Sequence, residues 1–213
     1  MSLKLDSFID CNNHTYEGLL DQLTKVHQLE TLEITNQSRV SIGYENNQIY
    51  KSIKTLKLID SQILTRNEST VFILKSLTSL VNLIISFNKI DEIEQQIFPA
   101  ITYLKNLQSM RLVQGEDSKS GIYANLLFSM MNQHKVNYVK HVYLDIQQLI
   151  LKSEQDQYQT PNLKEILVNL KRQSGMKVIV SQRRGGHIEL EIESTMNCWT
   201  IRTERIMIDF VRI

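Results

Sequence analysis

The sequence predicts an α/β solenoid of about six to seven strand-helix repeats, with a parallel concave sheet over residues 1–175 and a β-rich C-terminal cap over residues 176–213. Three observations predict it. One pattern, apolar-x-x-apolar-x-apolar, returns six times at near-constant spacing. Apolar residues at helical spacing fill several of the intervals, and after Gly175 the texture changes to strand-like alternation alone.

The six copies are Leu29/Leu32/Ile34, Ile53/Leu56/Leu58, Leu80/Leu83/Ile85, Leu107/Met110/Leu112, Val139/Val142/Leu144 and Leu163/Ile166/Val168. Their first positions are 24, 27, 27, 32 and 24 residues apart, and Leu3/Leu5, 29 residues before Leu32/Ile34, make a partial seventh. Helical stripes lie before several strands: Tyr16, Leu19, Leu20, Leu23 and Val26; Phe72, Leu74 and Leu77; Ile93, Ile97, Ile101 and Leu104; Ile122, Leu126, Leu127 and Met130. Pro99, which lacks an amide hydrogen, predicts a helix starting near Phe98 rather than running unbroken from Asp91. One strand and one helix cannot bury their apolar faces alone, whereas stacked copies make a continuous core.

In these residues the chain resembles the leucine-rich-repeat family, most clearly in VFILKSLTSLVNLIISFNKI (71–90) and IFPAITYLKNLQSMRL (97–112). The resemblance covers roughly residues 1–175 and implies a short, irregular solenoid of the intracellular type. The fuller family pattern, LxxLxLxxNxL, is met at Leu80, Leu83, Ile85, Asn88 and Ile90, where the asparagine is expected to bond backbone groups of the following turn. Gln37, Ser61, Gly115, Gln147 and Lys171 occupy that position elsewhere, which argues against regular curvature.

Beyond Gly175, Val178 and Val180, then Ile188, Leu190 and Ile192, then Ile206, Ile208 and Phe210 predict three antiparallel strands, with Arg183-Arg184-Gly185-Gly186 as a hairpin turn. A cap over the last repeat is the expected role. Glu189, Glu191 and Glu193 fall on one face, read as solvated. The polar segment 145–162, ending in Thr160-Pro161, has a projecting loop as an alternative reading.

Composition bounds function mainly by exclusion. Lys plus Arg (24) nearly equal Asp plus Glu (23), so no overall field steers the chain toward nucleic acid or anionic lipid. Two cysteines, Cys11 and Cys198, lie near opposite ends, which fits a reducing compartment and an intracellular, cytoplasmic or nuclear protein. No stretch approaches a membrane span, and the N-terminus has no apolar core of a signal sequence. The five histidines, His14, His27, His134, His141 and His187, share no metal-ligand spacing. No phosphate-binding glycine loop and no GxSxG is present, so no enzyme, no catalytic residue, no metal and no cofactor is expected.

What remains is a surface. Strand side chains alternate, so the residues between the buried positions line the concave face. One ladder reads Lys4, Glu33, Lys57, Ile84, Arg111, Tyr143, Leu167; the next reads Asp6, Thr35, Ile59, Ser86, Val113, Asp145, Asn169. Ile59, Ile84, Val113, Tyr143 and Leu167, with Phe87 and Ile146 nearby, form a candidate apolar and aromatic patch rimmed by Lys57, Arg111, His141 and Asp145. The competing expectation is that the C-terminal strands or a loop cover the patch as core.

The expected function is a protein interaction scaffold or adaptor that binds another protein through this face, as a subunit of a complex, with no small-molecule substrate. The alternatives implied by the resemblance are a GTPase activator, with Arg39 or Arg111 supplying charge, and a ubiquitin-ligase substrate receptor. For the latter, residues 1–28 are too short to hold an F-box-like helical segment.

Overall fold

The same apolar triplets that repeat in the sequence fix the sheet. The structure, a computed structural model, describes residues 2–5, 28–35, 40–41, 51–59, 63–64, 74, 77–115, 121–133, 139–153, 163–174, 177–182, 187–193 and 198–210. Strands β1 (Ser2–Leu5), β2 (Thr31–Thr35), β4 (Thr55–Ile59), β6 (Asn82–Phe87), β7 (Ser109–Gln114) and β9 (His141–Ser153) pair in parallel, each with the next. Leu3 stands opposite Leu32, then Leu56, Leu83, Met110 and Val142. Leu5, Ile34, Leu58, Ile85, Leu112 and Leu144 form the second ladder. From Leu32 and Ile34 onward every member is buried. A one-residue slip in any strand would turn its triplet to solvent, which is what pins the register. Each such side chain contributes about 1.5–3 kcal/mol on burial.

A backbone motif recurs at the entries of β4, β6, β7 and β9. Glu30 O accepts from Lys54 N at 2.8 Å and Thr55 N at 3.0 Å; Lys54 O from Val81 N at 2.7 Å and Asn82 N at 3.0 Å. Val81 O accepts from Gln108 N at 2.8 Å and Ser109 N at 3.1 Å; Gln108 O from Lys140 N at 2.9 Å and His141 N at 3.2 Å. Each segment thus satisfies the next one's first two amides. On the return path, the short strands β3 (Val40–Ser41) and β5 (Ile63–Leu64) make a separate parallel pair that the sequence pattern does not announce.

Between β6 and β7 the chain is helical. It runs through α1 (Ile90–Glu92), a π-helical turn (Ile93–Ile97) and α2 (Phe98–Ile101). An α-helix thus starts at Phe98, as Pro99 predicts, but it continues a helical path that already opens at Ile90. The wide turn sits immediately before Pro99, whose ring and missing amide hydrogen disfavour a regular i to i−4 ladder there. Ile93, Ile97, Ile101 and Leu104 are all buried, as their spacing requires. The stripe Ile122 to Met130 is divided instead. Ile122 lies in β8 (Ile122–Tyr123), and α3 (Ala124–Gln133) buries Ala124, Leu127, Phe128 and Met130 while Leu126 faces out. Leu74 and Leu77 of the second stripe are buried; Phe72 and the stripe Tyr16 to Val26 lie outside the described residues.

The sixth copy is not a strand. Leu163/Ile166/Val168 fall in α4 (Leu163–Ser174), where Ile166 and Leu170 are buried but Val168 is 58% exposed. An apolar step of three residues serves a helix as well as the repeat, and the third member of the triplet is what separates them. Glu165 in the first turn and Lys171 and Arg172 in the last suit the helix dipole. Nor do residues 145–153 project as a loop, since β9 runs on to Ser153; residues 154–162 lie outside the described residues.

The three C-terminal strands are β10 (Lys177–Gln182), β11 (Ile188–Glu193) and β12 (Cys198–Phe210), antiparallel in sequence order. The turn at Arg183–Gly186 lies outside the described residues. These strands are not appended beside the sheet. Strand β12 pairs in parallel with β9, Trp199 opposite Val142 and Ile201 opposite Leu144, so it carries both buried ladders one strand further. The order is β1-β2-β4-β6-β7-β9-β12-β11-β10. The result, among the described residues, is a mixed α/β fold with one large open, mostly parallel sheet, the small β3–β5 pair and few helices.

Strands β9 and β12 slip their alternation together. Val142, Leu144 and Ile146 are buried, then Leu149 and Leu151; in β12, Trp199, Ile201 and Thr203 are buried, then Glu204 and Arg205 are both exposed. Buried Thr203 holds the slip: its Oγ1 is 2.8 Å from Arg205 O and 3.3 Å from Gln147 O, one hydroxyl proton serving two carbonyls. Past this point β8 replaces β7 as the neighbour of β9. The gap is bridged by side chains, with Gln147 N donating to Gln114 Oε1 at 2.9 Å. At the same junction, a Cβ on Gly121 would meet Ile150 Cδ1 at 2.6 Å.

Candidate protein-binding face

The residues between the buried positions line the other face of the sheet in three rows. The central row is Lys4, Glu33, Lys57, Ile84, Arg111, Tyr143, and then Thr200, Glu191 and Ile179. To one side run Thr31, Thr55, Asn82, Ser109 and His141. To the other run Thr35 and Ile59 across β2 and β4, then Ser86, Val113, Asp145, Arg202 and Glu189.

The candidate patch is largely on this face. Tyr143 is 39% exposed, Arg111 and His141 are exposed, and Ile59, Ile84, Val113, Lys57 and Asp145 are half-buried. The His141 and Tyr143 rings stack with centroids 6.3 Å apart. Three expected members are elsewhere. Phe87 and Ile146 are buried core, and Leu167, with Asn169, lies on α4. Asp6 and Arg39 lie outside the described residues.

Charges on the face are held in register by their neighbours. Glu33 receives Lys57 at 2.5 Å and Lys4 at 3.5 Å. The Lys57 hydrogen bond holds the Glu33 carboxyl below the usual glutamate range against the opposing effect of burial, and the charges of Lys57 and Lys4 lower it further. At the strand entries, Lys54 does the same to exposed Glu30. Arg111 clamps Asp145 Oδ2 with Nη2 at 2.5 Å and Nε at 2.6 Å, so its guanidinium is committed to this pair. Asn88 is exposed and its backbone N–H is bound by Glu92 Oε2 at 3.0 Å.

Reasoning from sequence missed Thr200, Glu191, Ile179, Arg202 and Glu189 as members of this face. The signal was present. Met196/Trp199/Ile201 repeats the apolar-x-x-apolar-x-apolar pattern 57 residues after Val139, an interval lengthened by α4, β10 and β11.

Among the described residues no three His, Cys, Asp or Glu side chains are grouped to hold a metal ion. No described helix is long and apolar enough to cross a membrane. Fold and face together define a mixed α/β protein whose ordered, mostly parallel sheet presents side chains of mixed character on its open side. No family model, no curated protein and no solved structure matches the chain.

Proposed function

We propose that the chain is a short leucine-rich-repeat type solenoid that acts as a scaffold or adaptor, binding a protein partner through the open sheet face. The observation that carries the reading is Tyr143. Its neighbours in sequence, Val142 and Leu144, are fully buried, yet its ring stands 39% exposed beside half-buried Ile84 and Val113 and the Arg111–Asp145 pair. Aromatic and arginine side chains ringed by polar groups are where binding energy concentrates in protein interfaces. The repeated entry motif and the even succession of triplets support the solenoid.

The test is recovery of complexes from native cells with a tagged chain, followed by mass spectrometry. Wild type and Val168→Ser, altered on the exposed side of α4, are expected to retain one defined partner that Tyr143→Ser loses while staying folded. Retention by Tyr143→Ser and loss by Val168→Ser would place binding on the helical side and overturn the assignment.

A further inference from the structure

The charges of the open face are sorted along the sheet. Outside the closed Arg111–Asp145 pair, strands β1 to β7 contribute Lys4, Glu33 and Lys57, a formal excess of one positive charge. Strands β9 to β11, in sheet order, contribute Arg202, Glu189 and Glu191 outside that pair, with one arginine against two carboxylates, a formal excess of one negative charge. Between Lys57 and Glu191 the central row holds Ile84, Arg111, Tyr143 and Thr200, with Val113 beside them, and the Arg111 charge is closed onto Asp145. Glu191 is exposed and lies between Thr200 and Ile179, neither of which is charged.

We propose that the occupant of this face is an amphipathic α-helix laid across the strands, acidic at the end over Lys57, basic at the end over Glu191, and apolar between. This rests on the reading of the face as a protein-binding surface. A helix is favoured over an extended segment for a physical reason. The middle of the face offers side chains, Ile84, Val113 and Tyr143 among them, and no backbone partners, so an extended chain lying across it would lose water from most of its amides without replacement. A helix satisfies its own backbone. The lengths agree. Lys57 and Glu191 are five strand spacings apart, about 24 Å, which about 16 helical residues span. Acidic residues over β4 are also best placed at the helix N-terminus and basic ones at its C-terminus, by the helix dipole, which fixes the polarity of the docked segment.

The probe is a set of three 20-residue helical peptides with one common apolar stripe and with ends that are acidic and basic, both acidic, or both basic. Titrated at low salt against the full chain, the mixed peptide is expected to bind at least tenfold more tightly than either uniform one, gaining helicity by circular dichroism, and a central proline is expected to abolish binding. Glu191→Lys should move the preference to the doubly acidic peptide, and Lys57→Glu to the doubly basic one. The first variant alone suffices if the second, which sets two carboxylates side by side with Glu33, fails to fold. Equal affinities for all three peptides, indifference to Glu191→Lys, or binding that survives the proline would overturn the helical occupant. So would self-association of the chain that Glu191→Lys abolishes, since a second copy would then be the occupant. If these fail while Tyr143→Ser still loses a cellular partner, the helix falls and the binding face stands; if Tyr143→Ser also has no effect, both fall.

Discussion

Trp199→Ala tests whether the C-terminal strand is part of the sheet or an ornament on it. The indole is 1% exposed, stands opposite Val142 on β9 and meets Phe98 edge to face with ring centroids 6.2 Å apart. Truncation removes about 200 Å² of buried aromatic surface, worth about 5 kcal/mol at about 25 cal/mol/Å². Core truncations of this kind cost about 3–5 kcal/mol once the site relaxes, so about 4 kcal/mol is expected. With a urea dependence of about 2–3 kcal/mol/M, the midpoint should fall by about 1.3–2 M. Far-UV circular dichroism is the appropriate probe, because Trp199 is the chain's single tryptophan and its fluorescence disappears with it. Trp199→Phe, which keeps an aromatic edge for Phe98, should recover more than half of the loss. A midpoint shift below about 0.5 M would refute the placement of β12 beside β9 as the continuation of the core.

Three further outcomes follow from local geometry. On α4, Leu170→Ala should destabilise by about 2–5 kcal/mol while Val168→Ser stays within about 0.5 kcal/mol, measured by urea unfolding; the reverse order would restore residues 163–168 to a strand. Gln114→Leu leaves the Gln147 amide without its side-chain acceptor and should cost about 1–3 kcal/mol, with faster hydrogen exchange at Gln147 as its signature. Glu33 has a folded pKa below its unfolded one, so its contribution is present above the ordinary glutamate range and fades as pH falls through the folded value. Carbon-detected NMR titration should show Glu33 protonating at lower pH than an unpaired glutamate, and Lys57→Met should move it back up.

The parallel ladders were legible because burial there is periodic and local: Leu32, Leu56, Leu83, Met110 and Val142 occupy equivalent places in five successive triplets and become cross-strand partners. What was not legible has particular causes. Leu163 and Ile166 satisfy both a helix and the triplet, and only the exposure of Val168 decides. The true next strand, β12, comes after a helix and two antiparallel strands, so its triplet lies out of phase with the expected interval. Phe87 and Ile146 turn inward at strand positions whose surroundings depend on tertiary packing, and the slip at Gln147 and Gln148 depends on Thr203, 56 residues away from Gln147. The middle of the candidate face could be read in advance because it lies on regular strands; its acidic end could not, because it belongs to β11 and β12.

The central claim, that the open face is where a partner sits, is tested most directly by hydroxyl-radical footprinting of the complex isolated from cells. The account predicts that oxidation of Tyr143 falls several-fold in the complex while Tyr103, exposed by 56% in the turn after α2, is oxidised as in the free chain. Unchanged oxidation of Tyr143 together with protection of Tyr103 would contradict it.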